Sequence, residues 1–243
     1  MYKKLKKPLI FMTIIMVALV GVIWFSNRNK LPSFDYKNVE MIQLNPPKAG
    51  QEIATIDTTL GTFKVMLFRE EASNTVAHFV DLAKAGFYDG KYIFSAEKNA
   101  YFLGGTTNKS GVIVKKGEPN YDAEMTKIEN ELSNNLWPLK GALMSFGPNF
   151  KDSGSFFCGV NTVDFTDKLV KQLKNAKNAN PLITNALIEK GGIPYFAQQY
   201  TIFAQTYEGI DVFEKITNVA TDKKTKAIKE DVKINSIVIS TFS

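Results

Sequence analysis

The chain has 243 residues, of which 44% are hydrophobic and 22% charged, as expected for a globular protein with a sizeable core. Its net charge of +6 comes from residues 1–30, which hold six basic and no acidic side chains. The remainder is neutral overall and has no basic field to attract phosphates, which argues against nucleic-acid binding. One cysteine and one histidine cannot form an internal disulfide or a Cys/His metal site, so we expect neither metal nor cofactor.

The N-terminus carries an apolar run over residues 9–25, preceded by four lysines and followed by Arg28 and Lys30. This pattern is typical of a signal peptide or a membrane anchor. Because no pair of small residues marks a good cleavage site after the run, we predict an uncleaved transmembrane helix. The excess of lysines before it places the N-terminus in the cytoplasm and the bulk of the chain outside the cell membrane. Residues 1–30 are thus interpreted as a tail and single-pass anchor.

Residues 31–50 are polar, contain three prolines and show no period, which predicts a linker before one domain at 51–243. That domain begins with two strand patterns, 52–57 and 62–68, joined by a turn at Gly61. A helix is predicted from Ser73 to Gly86 because apolar residues recur at helical spacing. His78 falls on this helix, where a surface or partly buried position is expected. Further strands are predicted at 92–95 and 100–103.

The stretch from Gly141 to Val160 predicts two buried strands, 142–146 and 156–160, joined by turn-forming residues. Periodicity alone leaves two interpretations open: one wall of a groove, or a plain hairpin in a β core. Cys158 lies in the second strand, where a small buried hydrophobe is expected. Residues 163–194 predict two short helices around Asn180-Pro181. A strand at 200–207, a helix at 210–219 and a strand at 232–240 complete a mainly β architecture.

Eight local signatures occur in an order that resembles the cyclophilin-type peptidyl-prolyl isomerases. They include the opening hairpin, Tyr88-Asp89-Gly90 after the first helix, the pair Gly104-Gly105, Gly141-Ala142-Leu143, and Gly154-Ser155-Phe156-Phe157. Phe203 with Glu208-Gly209-Ile210 resembles the approach to the family's last helix. The segment from Asn180-Pro181 to Pro194 resembles an insertion of bacterial members. The resemblance implies a cyclophilin-like closed β-barrel capped by two helices, with a helical insertion at about 163–194.

The resemblance also implies an activity, rotation about Xaa–Pro peptide bonds, with proline-containing or unfolded polypeptide segments as partners. The barrier, about 18–20 kcal/mol, reflects the double-bond character of the amide. The family lowers it with an arginine that hydrogen-bonds the prolyl group and an apolar pocket that seats the ring, without covalent step, metal or cofactor. In this chain the arginine position falls on Ser95, which is short, neutral and a single donor. Lys91 or Lys98 could supply only a point donor.

The rest of the implied substrate groove is more apolar and aromatic than the family pattern. Leu103 and Ser155 stand where the family has glutamines. Phe146 replaces an alanine, Tyr195 a tryptophan and Tyr200 a histidine. Phe157 is expected at the pocket floor. The implied groove residues are Tyr101, Leu103, Phe146, Ser155, Phe157, Tyr195, Tyr200 and Phe203.

Two functions follow from this degenerate site. The first is an extracytoplasmic peptidyl-prolyl isomerase that assists protein folding, weak because its arginine position is Ser95. The alternative is a non-catalytic cyclophilin-fold module that binds peptides, as a chaperone does. Large side chains in place of small ones also leave open a groove that is filled and closed.

Overall fold

Eight antiparallel strands form one curled sheet in the computed structural model, which describes residues 38–176 and 179–243. In chain order they are β1 Glu52–Thr58, β2 Gly61–Leu67, β3 Tyr92–Glu97, β4 Tyr101–Thr106, β5 Ala142–Phe146, β6 Phe156–Val160, β7 Ile202–Glu208 and β8 Ile234–Thr241. Their order in the sheet is β3-β4-β6-β5-β7-β2-β1-β8. The mainly β prediction is confirmed.

The two outermost strands approach each other along a seam. Near it, Tyr92 of β3 forms an isolated bridge with Lys233, just before β8, and Ser95 forms another with Ala227. No continuous ladder joins β3 to β8 in the described sheet. The barrel is therefore a half-barrel drawn together at its edges, rather than the fully closed barrel that the resemblance implied.

Within the described ranges, five helices surround the sheet: α1 Ser73–Lys84, α2 Tyr121–Glu124, α3 Asp167–Lys174, α4 Pro181–Lys190 and α5 Asp211–Thr217. Two 3-10 turns, Ile42–Leu44 and Pro194–Phe196, complete the regular structure. The predicted helix from Ser73 is α1, which buries Val76, Phe79, Val80 and Ala83 on one face. The two predicted insertion helices are α3 and α4, and the Asn180 side chain caps α4 by accepting the Leu182 N–H at 2.8 Å.

The sheet buries apolar side chains on both of its faces. One set, the inner cluster, lies inside the half-barrel and includes Phe63, Phe102, Phe157 and Phe213. The other, the outer cluster, covers the opposite face under the insertion and includes Leu103, Phe146 and Tyr200. Every residue of β5 and of β6 is buried, because these central strands are covered on both sides.

The described part of the predicted linker packs against the domain. The side chain of Gln43 is buried, donates to the Trp137 carbonyl at 2.9 Å and to Gln205 Oε1 at 2.8 Å, and accepts from the Trp137 N–H. The segment around Gln43 thus contacts the domain, while most of residues 44–50 are exposed. The predicted anchor, residues 9–25, lies outside the described residues. Within the described part, none of the helices is both long and apolar enough to cross a membrane.

Candidate active site

A small apolar pocket lies in the outer cluster, between strands β4, β5 and β6 and the turn Pro194–Phe196. Its lining consists of aromatic and sulfur-bearing or branched side chains: Leu103, Met144, Phe146, Phe150, Cys158, Phe196 and Tyr200. The ladders explain why these residues meet, since Leu103 and Met144 both oppose Cys158 across their strand pairs. Each of the seven is buried. A proline ring needs an apolar surface of this kind.

The pocket is almost filled by its own side chains. Its free volume is about 10 Å³, close to the minimum needed for a single water molecule. Phe146 and Phe150 stack face to face, with ring centroids 4.8 Å apart and planes at 14°, and Phe156 lies against Phe146 at 5.7 Å. In this conformation the pocket holds no room for a five-membered ring. The structure thus shows this pocket filled by its own side chains.

Five of the predicted groove residues lie together in the outer cluster. Leu103, Phe146 and Tyr200 line the pocket directly. Tyr101 packs edge-on against Phe196 at 5.6 Å, and Phe196 packs against Tyr200 at 6.1 Å. Tyr195 is buried in the same cluster. Sequence reasoning did not place Met144, Phe150, Cys158 or Phe196 in the pocket lining. Met144 and Cys158 become recognisable once the face of each strand is known, whereas Phe150 and Phe196 lie in a loop and a 3-10 turn.

Phe157 and Phe203 lie on the other side of the sheet, in the inner cluster. Phe157 packs against Tyr88 and Phe102, and Phe203 against Phe79 with centroids 5.0 Å apart. Successive side chains alternate between faces of a strand, so the neighbours of Phe157, not Phe157 itself, point towards the pocket. Cys158 therefore lines the pocket in place of Phe157, and Phe156 packs against the Phe146 ring.

Ser95 lies opposite Leu103 in the β3–β4 ladder, on the strand face that carries the pocket, but it does not line the pocket. It is buried, and its hydroxyl donates to the Lys226 carbonyl at 3.1 Å. The register of β3 against β4 shifts between Ile93 and Ser95, which is a β-bulge. Phe94, which has no partner on β4, belongs to the outer cluster, where its ring fills the space that a side chain on Gly111 would need. Ser95 thus keeps the strand face implied by the resemblance, but its hydroxyl is bonded to the Lys226 carbonyl.

No guanidinium reaches the pocket in the described part of the chain. Arg69, its one arginine, forms a paired contact with the Glu52 carboxylate at the surface. Lys91 is buried, donates to the Thr107 hydroxyl and lies 4.5 Å from the centre of the Phe87 ring, within the inner cluster. Burial lowers the pKa of Lys91, although Glu124 nearby opposes the shift.

Ser155 holds a loop rather than facing the pocket. Its hydroxyl donates to the carbonyl of Ala123 in α2, and its own carbonyl accepts from the Tyr88 hydroxyl at 3.0 Å. The His78 Nε2 atom lies 2.9 Å from the Ser155 hydroxyl, so His78 is the donor in the tautomer that this arrangement requires. Partial burial lowers the pKa of His78, opposed by Asp81. Because the Ser155 proton is committed to a carbonyl, this pair is not arranged for nucleophilic catalysis.

The polar atoms of the outer cluster are shielded from water. Burial raises the pKa of the Cys158 thiol and of the Tyr101 hydroxyl, and raises that of Tyr200 to about 12. All three side chains are therefore neutral near pH 7. Among the described residues, no group of three or more His, Cys, Asp or Glu is placed to hold a metal ion. The pocket can therefore bind an apolar group, but its described lining includes no charged side chain that could act on that group.

Comparison of the sequence with known proteins finds one matching family and several relatives. A family model described as cyclophilin type peptidyl-prolyl cis-trans isomerase/CLD matches residues 53–239. The chain is 32% identical to a Staphylococcus aureus protein and 30% identical to one from Staphylococcus saprophyticus, both described as candidate peptidyl-prolyl cis-trans isomerases. These alignments span 198 residues, cover 80% and 81% of this chain, and cover 95% and 96% of the relatives.

Solved structures show the same fold. A cyclophilin type peptidyl-prolyl cis-trans isomerase of Cryptosporidium parvum, crystallised in the presence of the dipeptide Ala-Pro, superposes with a TM-score of 0.57 at 20% identity. The match covers 78% of this chain and 99% of that one. A second structure of the same protein gives the same score and identity over 79% of this chain.

Proposed function

Because the chain belongs to the cyclophilin-type family of peptidyl-prolyl cis-trans isomerases, we propose that it rotates Xaa–Pro bonds of polypeptides, weakly and outside the cytoplasm. The observation that carries the proposal is the apolar pocket between β4, β5 and β6. A twisted prolyl amide has lost its conjugation and is less polar than the planar form. A dry, apolar seat for the ring therefore favours the transition state over the hydrated ground state.

Low activity is proposed because no cation assists the twisted amide. Ser95 is committed to the Lys226 carbonyl, and Arg69 is held at the surface by Glu52. Loss of one charged donor to a transition state typically reduces the rate by about 10²–10³. The closed pocket adds a second reason, since substrate binding requires the pocket to open first.

A second candidate function is a non-catalytic peptide-binding module that holds proline-containing or unfolded segments. The wholly apolar lining of the pocket favours it, since such a surface binds side chains without acting on the amide. The two candidates share the binding step and differ only in whether the bound bond rotates faster.

The experiment is a prolyl-isomerisation assay with the full-length chain in detergent micelles. We expect acceleration about 10²–10³ below that of a family member that keeps the arginine. Tyr200→Ala should reduce this rate, because Tyr200 lines the pocket, whereas Tyr207→Ala on neighbouring β7 should not. Absent acceleration, with suppressed aggregation of an unfolded client, would support the second candidate. Absence of both effects would overturn both candidates.

We further propose that residues 9–25 anchor the chain in the cell membrane with the domain on the extracytoplasmic side. The apolar length and the lysines before it support this orientation. In a Cys158→Ala background, a membrane-impermeant maleimide should label Lys223→Cys in intact cells but not Lys6→Cys. Labelling of Lys6→Cys alone would indicate the opposite topology. Equal labelling of both variants would contradict a membrane barrier between the two positions.

A further inference from the structure

Phe150 closes the apolar pocket from a short loop between β5 and β6. Its ring stacks on Phe146, its side chain is 5% exposed, and it lines the pocket opposite Leu103 and Cys158. It is the one lining residue from the loop that follows β5, while the others come from strands or from the region around the turn Pro194–Phe196. The pocket can therefore open by movement of this loop while the sheet stays in place.

The backbone of Phe150 is held in an unfavourable conformation. Its φ angle is +56°, in the left-handed region, which an aromatic residue rarely adopts. Two hydrogen bonds in the loop maintain this conformation. The Phe150 N–H donates to the Gly147 carbonyl at 3.2 Å, and the Asn149 side-chain amide donates to the Asp152 carboxylate. Stacking on Phe146 and burial of the ring offset this strain. The closed state is thus stabilised mainly by the same apolar contacts that a prolyl ring would make.

We propose that Phe150 is an intramolecular plug: its ring occupies the seat of the substrate's prolyl ring, and a proline-containing segment must displace it to bind. This inference rests on the proposed function and adds the residue that controls access to the site. Displacement relieves the left-handed backbone of Phe150 and leaves the apolar contacts to the incoming ring. The population of the open state then sets the apparent affinity for substrate.

The plug is tested by removing the ring without disturbing the turn. Phe150→Gly suits this purpose because glycine adopts positive φ freely. With the open state at about 0.1–10% in the wild type, Phe150→Gly should bind an Ala-Ala-Pro-Phe peptide about 10- to 1,000-fold more tightly. Lys151→Ala, in the same loop but exposed, is the matched control and should bind like the wild type. Equal affinity of the wild type and Phe150→Gly would overturn the plug and leave the proposed function intact.

Benzene binding tests the plug independently of the proposed function. An emptied apolar pocket binds benzene whether or not the protein binds proline-containing peptides. Phe150→Gly should bind benzene and the wild type should not. Benzene binding by the variant, with no prolyl-peptide binding by either protein, would overturn the proposed function and the displacement by proline together, leaving Phe150 as a structural filler. Benzene binding by neither protein would overturn the plug alone.

A measurement on the wild type remains decisive if the variant does not fold. Nuclear Overhauser contacts between the ring protons of Phe146 and Phe150 should be present in the free protein and lost when the peptide is saturating. Persistence of these contacts in the peptide complex would overturn the inference.

Discussion

The carboxylate of Glu131 accepts two hydrogen bonds from Thr75, one from the backbone N–H and one from the hydroxyl, both at 2.8 Å. The Asn74 N–H donates to the same carboxylate at 2.9 Å. The residue before α1 is Ala72, whose methyl side chain cannot accept a hydrogen bond from the helix N-terminus. A carboxylate from a distant loop therefore satisfies the first N–H groups of α1 and faces the positive end of its dipole.

Glu131→Gln should lower the free energy of unfolding by about 1 kcal/mol, because it removes a charged cap while keeping the shape of the side chain. Urea denaturation at pH 7 measures the effect. Glu129→Gln, two residues away and exposed, is the matched control and should change little. Equal effects of the two substitutions would show that the loop charge, not the cap, matters.

The stability contributed by Glu131 should also depend on pH. Burial raises its pKa, but hydrogen bonds from Asn74 and Thr75 lower it by more, so the folded value lies below the usual 4.5. The contribution is therefore present above about pH 4.5 and is lost as the pH falls through the folded pKa. The difference between the wild type and Glu131→Gln should shrink between pH 5 and pH 3. A constant difference over that range would contradict the cap.

Ser95→Arg should not restore efficient isomerisation. Because Ser95 is 1% exposed and its hydroxyl is bonded to the Lys226 carbonyl, an arginine there would bury an uncompensated charge. We expect a loss of about 3 kcal/mol in stability and no gain in rate. Ser95→Ala, which only removes the hydroxyl, is the control and should leave the rate unchanged. A gain of 100-fold or more (about the worth of one charged donor) in Ser95→Arg would show that an arginine at this position reaches bound substrate.

Gln43→Ala should cost about 1–3 kcal/mol, since it removes the buried hydrogen bonds that join residues 38–50 to Trp137 and Gln205. Leu44→Ala, in the same 3-10 turn but 45% exposed, should stay within about 0.5 kcal/mol of the wild type. Urea denaturation gives both values, and limited proteolysis should cut residues 38–50 faster in Gln43→Ala. Identical cleavage in both variants would show that the segment is not held through Gln43.

Cys158 should resist a thiol reagent in the folded protein, because its side chain is 4% exposed and burial raises the thiol pKa. Phe150→Gly should increase the labelling rate about 10-fold or more, as opening the pocket admits the reagent. Lys151→Ala should label at the wild-type rate. Rapid labelling of the wild type would contradict the closed pocket.

Much of the fold was accessible from the sequence. The predicted strands 142–146 and 156–160 have the bounds of β5 and β6, and α1 begins at the predicted Ser73. These elements are recognisable because apolar runs between turn formers and helical spacing are local signals. The same local signals do not say which side of a strand meets the pocket.

The site was harder to predict for two physical reasons. In β6 all five residues are buried, so no polar alternation reveals that Phe157 faces inward and Cys158 outward. In β3 a bulge leaves Phe94 without a partner on β4 and adds its ring to the outer cluster, and nothing in the local composition marks it. Phe150 escaped notice because a turn-rich loop gave no reason to expect a buried aromatic ring at positive φ.

The docking of Gln43 also decides how the domain responds to mechanical tension. A pull transmitted from the preceding chain to residue 38 loads a few side-chain hydrogen bonds before it reaches β1, which is held by ladders on both sides. The segment would yield first and leave the sheet intact. Once extended, residues 38–50 span at most about 45 Å, which sets how far the sheet can move from residue 38.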